Sequence, residues 1–599
     1  MANDLTPIRY LNFDGLLNAG VSDFLMQNNE CSALKNCWSP KIGRLEKVPG
    51  YSNCVSPITS VSPSNSPSVS PSESQSPSIS VSASPSASVS LSPSSSPSDS
   101  PSASPSASVS LSPSISISIS PSVSGTQSPS PSASPSISIS ASPSASVSMS
   151  PSASPSAGGG GTGSGDVVYL HHYYDVENRV NYMLGAVNDS DNGVDLICQY
   201  RTVGDWEEMA TITGPNDVWE GYADSLLDME NYLSRTFIVG YKGGSNFLPN
   251  TVVRGTNFST KDGNITGMPQ AKYIVRYRDL LYVLHAKIGS NIYPTRAYPS
   301  DEPTNGTISW NNLTTTFIEF GYDDGSEITG GAMCRDRLIV FKSESMWQYD
   351  ESRTEEISEV GCDSNRSIAK INKTLYWYNR DGFWRWRGGQ PELISAKAQP
   401  FIDAIDQSDL TKVVGTPYNA TEYRAFIGTV VVSGITYVNA WFCWDTRREK
   451  AYIRCTIDGV KSTCTFTEGG KRRTYFGSAE GNAYKFATKV DKHYTDDGDE
   501  IDSFFITKNL DYGLPEDKKL VNNMVAFTKH AAGMKVAVDV DSRDDFAEAH
   551  TRILKSNNDE LNFMAGGNRY RYKFYQKGAG KSWEFEGFTI LTKTLDTAK

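Results

Sequence analysis

Three segments of this chain align with one another without gaps, and they constrain the fold more than any other feature. Arg337 opens RLIVFKSES, Thr374 opens TLYWYNRDG and Arg473 opens RTYFGSAEG. Each is a run of strand formers, then a polar turn, then an acidic residue (Glu344, Asp381, Glu480), then Ser or Gly. Aromatic residues follow: Trp347 and Tyr349, Trp384 and Trp386, Tyr484 and Phe486. A partial fourth copy, Leu280–Leu284, keeps a preceding Arg278-Asp279 that matches Arg335-Asp336, although its turn is longer. A β-hairpin repeated at this spacing is what a β-propeller requires, because each blade must pack on its neighbours. Aromatics at alternate positions would then fill the space between blades. The competing reading is a β-sandwich in which the similarity arises by chance.

The rest of the chain after Gly165 fits the same class. Val167–Tyr174, Arg179–Val187, Val194–Tyr200, Thr236–Tyr241, Lys272–Tyr277 and Leu280–Leu284 read as strands broken by Gly, Asn and Asp turns. A short helix is expected near Ser395–Ile405. Beyond Asp496-Asp-Gly-Asp-Glu500, the runs Ile501–Thr507, Met534–Val540, Tyr570–Tyr575 and Trp583–Lys593 predict a small sandwich-like domain. Phe546, Ala549, Ile553 and Leu554 have helical spacing. The expected fold is all-β: a β-propeller body, a small C-terminal β-sandwich-like domain and a Ser/Pro low-complexity insert.

The insert splits the chain. From Ser60 to Ser156 every even position is serine except Thr126, and the odd positions are mostly Pro, Ala, Val, Ile and Leu. Residues 56–165 hold 18 of the 31 prolines, no aromatic residue, and only Glu73 and Asp99 as charges. Proline at this density forbids a long central strand. Extended coil or polyproline II would reach on the order of 300 Å at roughly 3.1 Å per residue. Two alternatives stay open: a Ser-faced β stack formed where several copies meet, and a sugar-modified stalk. Gly158–Gly161, with Gly163 and Gly165, marks a hinge. The expected divisions are 1–55 as an N-terminal segment joining the propeller or a ring interface, 56–165 as the insert with its hinge, 166–495 as the propeller, and 496–599 as the C-terminal β domain.

Chemistry is harder to find. The net charge of −12 argues against wrapping a nucleic-acid backbone. Lys471-Arg472-Arg473 is a local basic run that reads as a solvated turn. Nine scattered cysteines without a CxxC pair suggest buried thiols rather than a disulfide framework or a zinc ribbon. The six histidines lie outside any HExxH-type spacing, and His171-His172 in a strand would face opposite ways. Asp323-Asp324-Gly325 and Asp496–Glu500 lack the full calcium-loop pattern and read as Asp-capped turns. There is no GxSxG, Walker loop or GxGxxG. No catalytic, cofactor-binding or metal residue is assigned, and the chain is expected not to be an enzyme. The N-terminus lacks the basic and apolar regions of a signal peptide, and no run of 18 apolar residues could span a membrane.

The opening carries a resemblance. It reads Asn12-Phe-Asp-Gly15-Leu-Leu-Asn18, Asn28-Asn-Glu30, Leu34-Lys-Asn36 and Gly43-Arg-Leu-Glu-Lys-Val-Pro-Gly50-Tyr51. This resembles the segment that precedes the blades in propeller proteins of tailed bacteriophages, the tail tubular or nozzle proteins and the head-to-tail stabilisation proteins. Asp14 stands where that group has a first glycine, and Lys47-Val48 where it has a basic pair. Tyr293–Arg296, Ile328–Gly331, Gly477–Gly481, Asp499–Asn509 and Lys518-Lys519 are similar to the same group in the same order. The resemblance spans about residues 8–54 and 166–599 and omits the insert. It implies a virion structural protein in the tail nozzle or head–tail junction, assembled in the host cytoplasm. It also implies a homo-oligomeric, hexameric ring around the DNA exit channel, contacting other tail or head–tail junction proteins and letting DNA pass. An acidic lumen would let DNA slide. Within the N-terminal segment, Cys31–Trp38 is expected to form a short helix capped by Asn28 or Asn29. The alternatives are a tail fibre or spike component binding host-surface glycans, and a propeller enzyme degrading host polysaccharide.

Overall fold

The computed structural model describes residues 6–55 and 165–595, except 12–15, 20–25, 28–29, 42–43, 177–178, 189–193, 201–206, 209–221, 223, 245, 255–259, 263–264, 266, 305, 469, 544–545, 547 and 579–581. The serine tract therefore lies outside the described residues, as do the three readings offered for it.

The four repeats identified in sequence are the second and third strands of four blades. Arg337–Lys342 and Met346–Tyr349 belong to one, Thr374–Asn379 and Gly382–Trp386 to the next, and Lys471–Ser478 and Ala483–Phe486 to the last. Leu280–Ile288 and Asn291–Pro299 are the equivalent pair one blade earlier. The described residues form seven four-stranded antiparallel blades. Their first strands are Val167–Asp175, Leu226–Tyr232, Gln270–Tyr277, Ile328–Cys334, Ala369–Ile371, Val414–Tyr418 and Val460–Glu468, which number the blades 1 to 7. The first strand of blade 7 lies against that of blade 1, which closes the ring.

The strands are apolar on both faces because both faces are covered. In RLIVFK, Leu338 and Val340 pack toward Tyr282 and Leu284 of blade 3, while Ile339 and Phe341 pack toward Leu375 and Trp377 of blade 5. A period of two therefore sends successive side chains into two different interblade cores. A second device repeats between blades 1 and 4. The tyrosine near the end of one first strand donates its hydroxyl to the hairpin turn of the next blade: Tyr173 to Ser234 O (2.9 Å), Tyr232 to Asp279 O, and Tyr277 to Asp336 O (3.1 Å). Those turns carry positive φ at Ser234, Arg278 and Asp336, and the Arg-Asp pairs seen in sequence occupy two of them.

Blade 7 takes its fourth strand from the other end of the chain. Tyr51–Val55 pairs antiparallel with Ala483–Phe486. The rest of the N-terminal segment builds the terminal domain. Thr6–Leu11 and Arg44–Lys47 pair with Glu584–Thr594 in one sheet, and Glu30–Lys35 pairs with Asp499–Thr507 in the other. Between the sheets Phe505, Phe574 and Phe585 meet at 4.7–4.8 Å between ring centroids.

Two expectations fail. Cys31–Trp38 is not a helix but parts of two strands, Glu30–Lys35 and Cys37–Lys41, hinged at Asn36 with φ 55°. Pairing with Asp499–Thr507 overrides the local signal, and Cys31, Leu34 and Cys37 are buried by it. The second stretch with helical spacing is likewise not a helix: Glu548–His550 is a short 3-10 turn and Thr551–Ile553 a strand paired with Lys535–Ala537. Phe546, at φ 64°, is outside the helical region. The helix expected near 395–405 is present as Gln399–Asp403.

Candidate functional site

A propeller leaves the inner edge of each first strand unpaired, so its N–H and C=O groups face the axial channel. The channel here has a volume of about 470 Å³ and receives residues from all seven first-strand regions, among them Tyr169, Asp228, Ile274, Gly331, Lys370 and Ser462. Its polar side chains follow from the edge problem. Asp228 accepts from Ile274 N (3.0 Å) and Glu230 from Arg276 N (3.4 Å), so blade 2 caps the free edge of blade 3. Asn231 donates to His172 O (2.7 Å) on blade 1, Lys370 to Met333 O (3.0 Å) on blade 4, and Thr463 to Gly415 O (3.0 Å) on blade 6. Ser462 donates to Val167 O (2.7 Å), joining blade 7 to blade 1.

Asp228 and Glu230 are the paired carboxylates of the channel, and the sequence reading missed them. The signal was present: LLDMENY places acids at alternate positions, with Leu227 and Met229 buried on the other face. Asp228 also accepts from Tyr169 Oη (3.2 Å) and Asn365 Nδ2 (3.4 Å). Burial pushes its pKa up to about 7, with Glu230 adding repulsion and the backbone N–H of Ile274 opposing. Burial also raises Glu230.

A carboxyl whose folded pKa exceeds its unfolded value of about 3.8 binds extra protons in the folded state. Its stabilising contribution is full at low pH and is lost as pH rises through about 7. Asp228→Asn is therefore expected to flatten the pH dependence of unfolding free energy across this window, by on the order of 1–3 kcal/mol. Urea titrations of both proteins at the two ends of the window measure this. Parallel pH profiles would show that Asp228 is not the titrating group.

The residues singled out in sequence are placed as follows. His171 and His172 do point to different partners, Asn231 (2.9 Å) and Asn181 (2.8 Å). Burial lowers His171 to about 4 and lowers His172 as well. His285 is buried at a bulge with φ 52° and is also drawn down to about 4, by burial and then by Lys272. Asp324 pairs with the fully buried Lys342, and its Oδ1 accepts from Ser326 N (3.0 Å), the geometry of an Asp-capped turn. Asp496 pairs with buried Arg454. In the basic run Lys471 and Arg472 are exposed, and Arg473 is tied to Asp491 (2.9 Å). The seven cysteines whose side chains are described are buried thiols. Among the described residues no group of three or more His, Cys, Asp or Glu is placed to hold a metal ion. Among them, too, no helix is long and apolar enough to cross a membrane.

No protein-family model and no curated protein matches this chain. The functional reading therefore rests on the residues themselves. In the channel these are a set of side chains bonded to strand edges.

Proposed function

We propose that this chain is a virion structural protein of a tailed bacteriophage, a rigid ring subunit of the tail nozzle or head–tail junction that lines or closes the DNA exit channel. The observation that carries the reading is where the resembling N-terminal residues sit. Asn36 Oδ1 accepts from Cys455 N (2.7 Å) and Arg454 Nη1 (2.9 Å), and its Nδ2 donates to Asp502 O (2.7 Å). Gly50 has no space for a side chain, since a Cβ there would lie 1.7 Å from Thr495 O. Tyr51 is buried, donates to Asp458 (2.6 Å) and accepts from Ile457 N (3.2 Å). These residues lock blades 6 and 7 to the terminal domain. A motif used for rigidity suits a building block more than a catalyst. The carboxylates of the channel are likewise engaged with strand edges, which supports the non-catalytic reading over polysaccharide cleavage.

The purified full chain is expected to form a ring with sixfold symmetry in negative-stain class averages, at a mass near six copies by light scattering. A particle that stays monomeric and does not attach to tail or head–tail components would overturn the proposal. Turnover of a host polysaccharide would replace it with the enzymatic alternative.

A further inference from the structure

Arg366 is a charged residue of the propeller axis that the edge-capping pattern does not account for. It lies in the 3-10 turn Asn365–Ser367, which leads into the first strand of blade 5. It borders both the axial channel and a second cavity of about 710 Å³. A guanidinium offers five N–H donors, yet that of Arg366 makes no hydrogen bond or ion pair with a described residue. Burial draws its pKa down to about 10, against the attraction of Tyr169, Asp409 and Tyr241. Asp409, the nearby carboxylate, is held by Thr411 Oγ1 (2.5 Å) and Lys412 Nζ (3.5 Å). Lys461, farther round the wall, holds Asp166 (2.5 Å). Of the wall's cations, Lys412 and Lys461 are thus paired and Arg366 is not.

Asp409 is shared with Thr411 and Lys412, so an anion that reaches the part-buried Arg366 guanidinium gains charge-assisted hydrogen bonds that no described residue supplies. The cavity is within the size range of small-molecule sites. Its remaining surface is largely apolar, with Val168, Leu226, Phe426 and Val460 contributing. The wall carries Arg366, Lys412 and Lys461 against Asp224 and Asp409, a net single positive charge, which suits one negative charge on an apolar body and disfavours a dianion.

We propose that this cavity binds a small organic monocarboxylate, its carboxylate on Arg366 and its apolar body against Leu226, Phe426 and Val460. The inference is independent of the virion role, since a ring subunit and a glycan-binding protein could each carry such a site.

The test uses the full chain with benzoate as probe, read by saturation-transfer NMR and calorimetry. Benzoate is expected to bind at about 1–10 mM. Arg366→Gln should weaken it at least about tenfold, and Arg366→Lys, which keeps the charge but loses the fork, should fall between. A comparison on the unaltered protein needs no variant: benzyl alcohol, which lacks the charge, should bind at least about tenfold more weakly than benzoate. Inorganic phosphate should bind more weakly as well. Equal binding of benzoate and benzyl alcohol would overturn the proposal, as would unchanged binding by a folded Arg366→Gln protein. Tighter binding of phosphate, or no benzoate signal up to about 50 mM, a concentration well above that range, would also overturn it.

Discussion

A chain cut at the glycine hinge that follows the serine tract is expected to remain one particle. With a protease site placed between Ser156 and Gly165, the fragment bearing residues 1–55 should co-elute with the rest of the protein under native conditions. It should separate only in denaturant. The reason is burial. Leu17, Leu34, Leu45, Val48 and Tyr51 each lie at 1% exposure or less, and Cys31 and Cys37 are fully buried. Each large apolar side chain contributes about 1.5–3 kcal/mol, an upper estimate for a chain that is partly compact when unfolded. Together they contribute on the order of 10 kcal/mol, comparable to the whole stability of a typical domain. Strand pairing adds to this, because the segment supplies the fourth strand of blade 7 and strands to both sheets of the terminal domain. A chain lacking residues 1–55 is accordingly expected to be insoluble. A chain in which a short Gly/Ser linker replaces 56–164 should fold. The point-mutation version is Gly50→Ala, which forces a methyl group against Thr495 O and should loosen the fragment in the cut protein. Independent elution of the two fragments in native buffer would refute the clasp.

The blades were legible because a blade is a local object. Its strands are short, its turns carry Gly, Asn or Asp, and its two covered faces produce the unbroken apolar runs RLIVFK and TLYWYN. The spacing between repeats was legible too: 37 residues separate the copies in blades 4 and 5, and 99 residues contain two blade steps to blade 7. What sequence could not reveal is the pairing of residues hundreds of positions apart. Cys31–Trp38 looked helical because Asp499–Thr507, the partner of the strand Glu30–Lys35, lies over 460 residues away. Tyr51 looked like the end of a preamble, when it is a strand of the last blade. The channel was missed for a related reason. Asp228 and Glu230 sit in a strand that reads as a mixed polar segment until the neighbouring blade's free N–H groups are in place. Arg366 gave no pattern at all, because a single half-buried arginine is recognisable only by what does not surround it.

Asp496→Ala is expected to destabilise the protein by about 3–5 kcal/mol, the range for removing one partner of a buried ion pair. Arg454 is wholly buried and Asp496 nearly so. The Arg454 guanidinium donates to Asp496, to Asn36 Oδ1 (2.9 Å) and to Cys455 O, while its Nε has no partner among the described residues. Without Asp496 the cation keeps two neutral acceptors and no counter-charge. The loss is worsened by Lys47, whose pKa falls to about 8, first through burial, then through repulsion from Arg454, with Asp496 among the groups opposing the fall. Asp496→Asn, which keeps the shape and one acceptor oxygen, should cost less than the alanine variant. The paired replacement Arg454→Met with Asp496→Leu should cost far less than Asp496→Ala, because it removes both desolvated charges together. Urea midpoints followed by tryptophan fluorescence would measure all three. An alanine variant within about 1 kcal/mol of the parent, the range of an exposed pair, would show that Arg454 finds water or another acceptor at this junction. The junction matters because Arg454 belongs to blade 6, Asn36 to the N-terminal segment and Asp496 to the bridge that pairs with Tyr51. One ion pair thus couples propeller closure to the terminal domain, and its loss should lower the stability of both together.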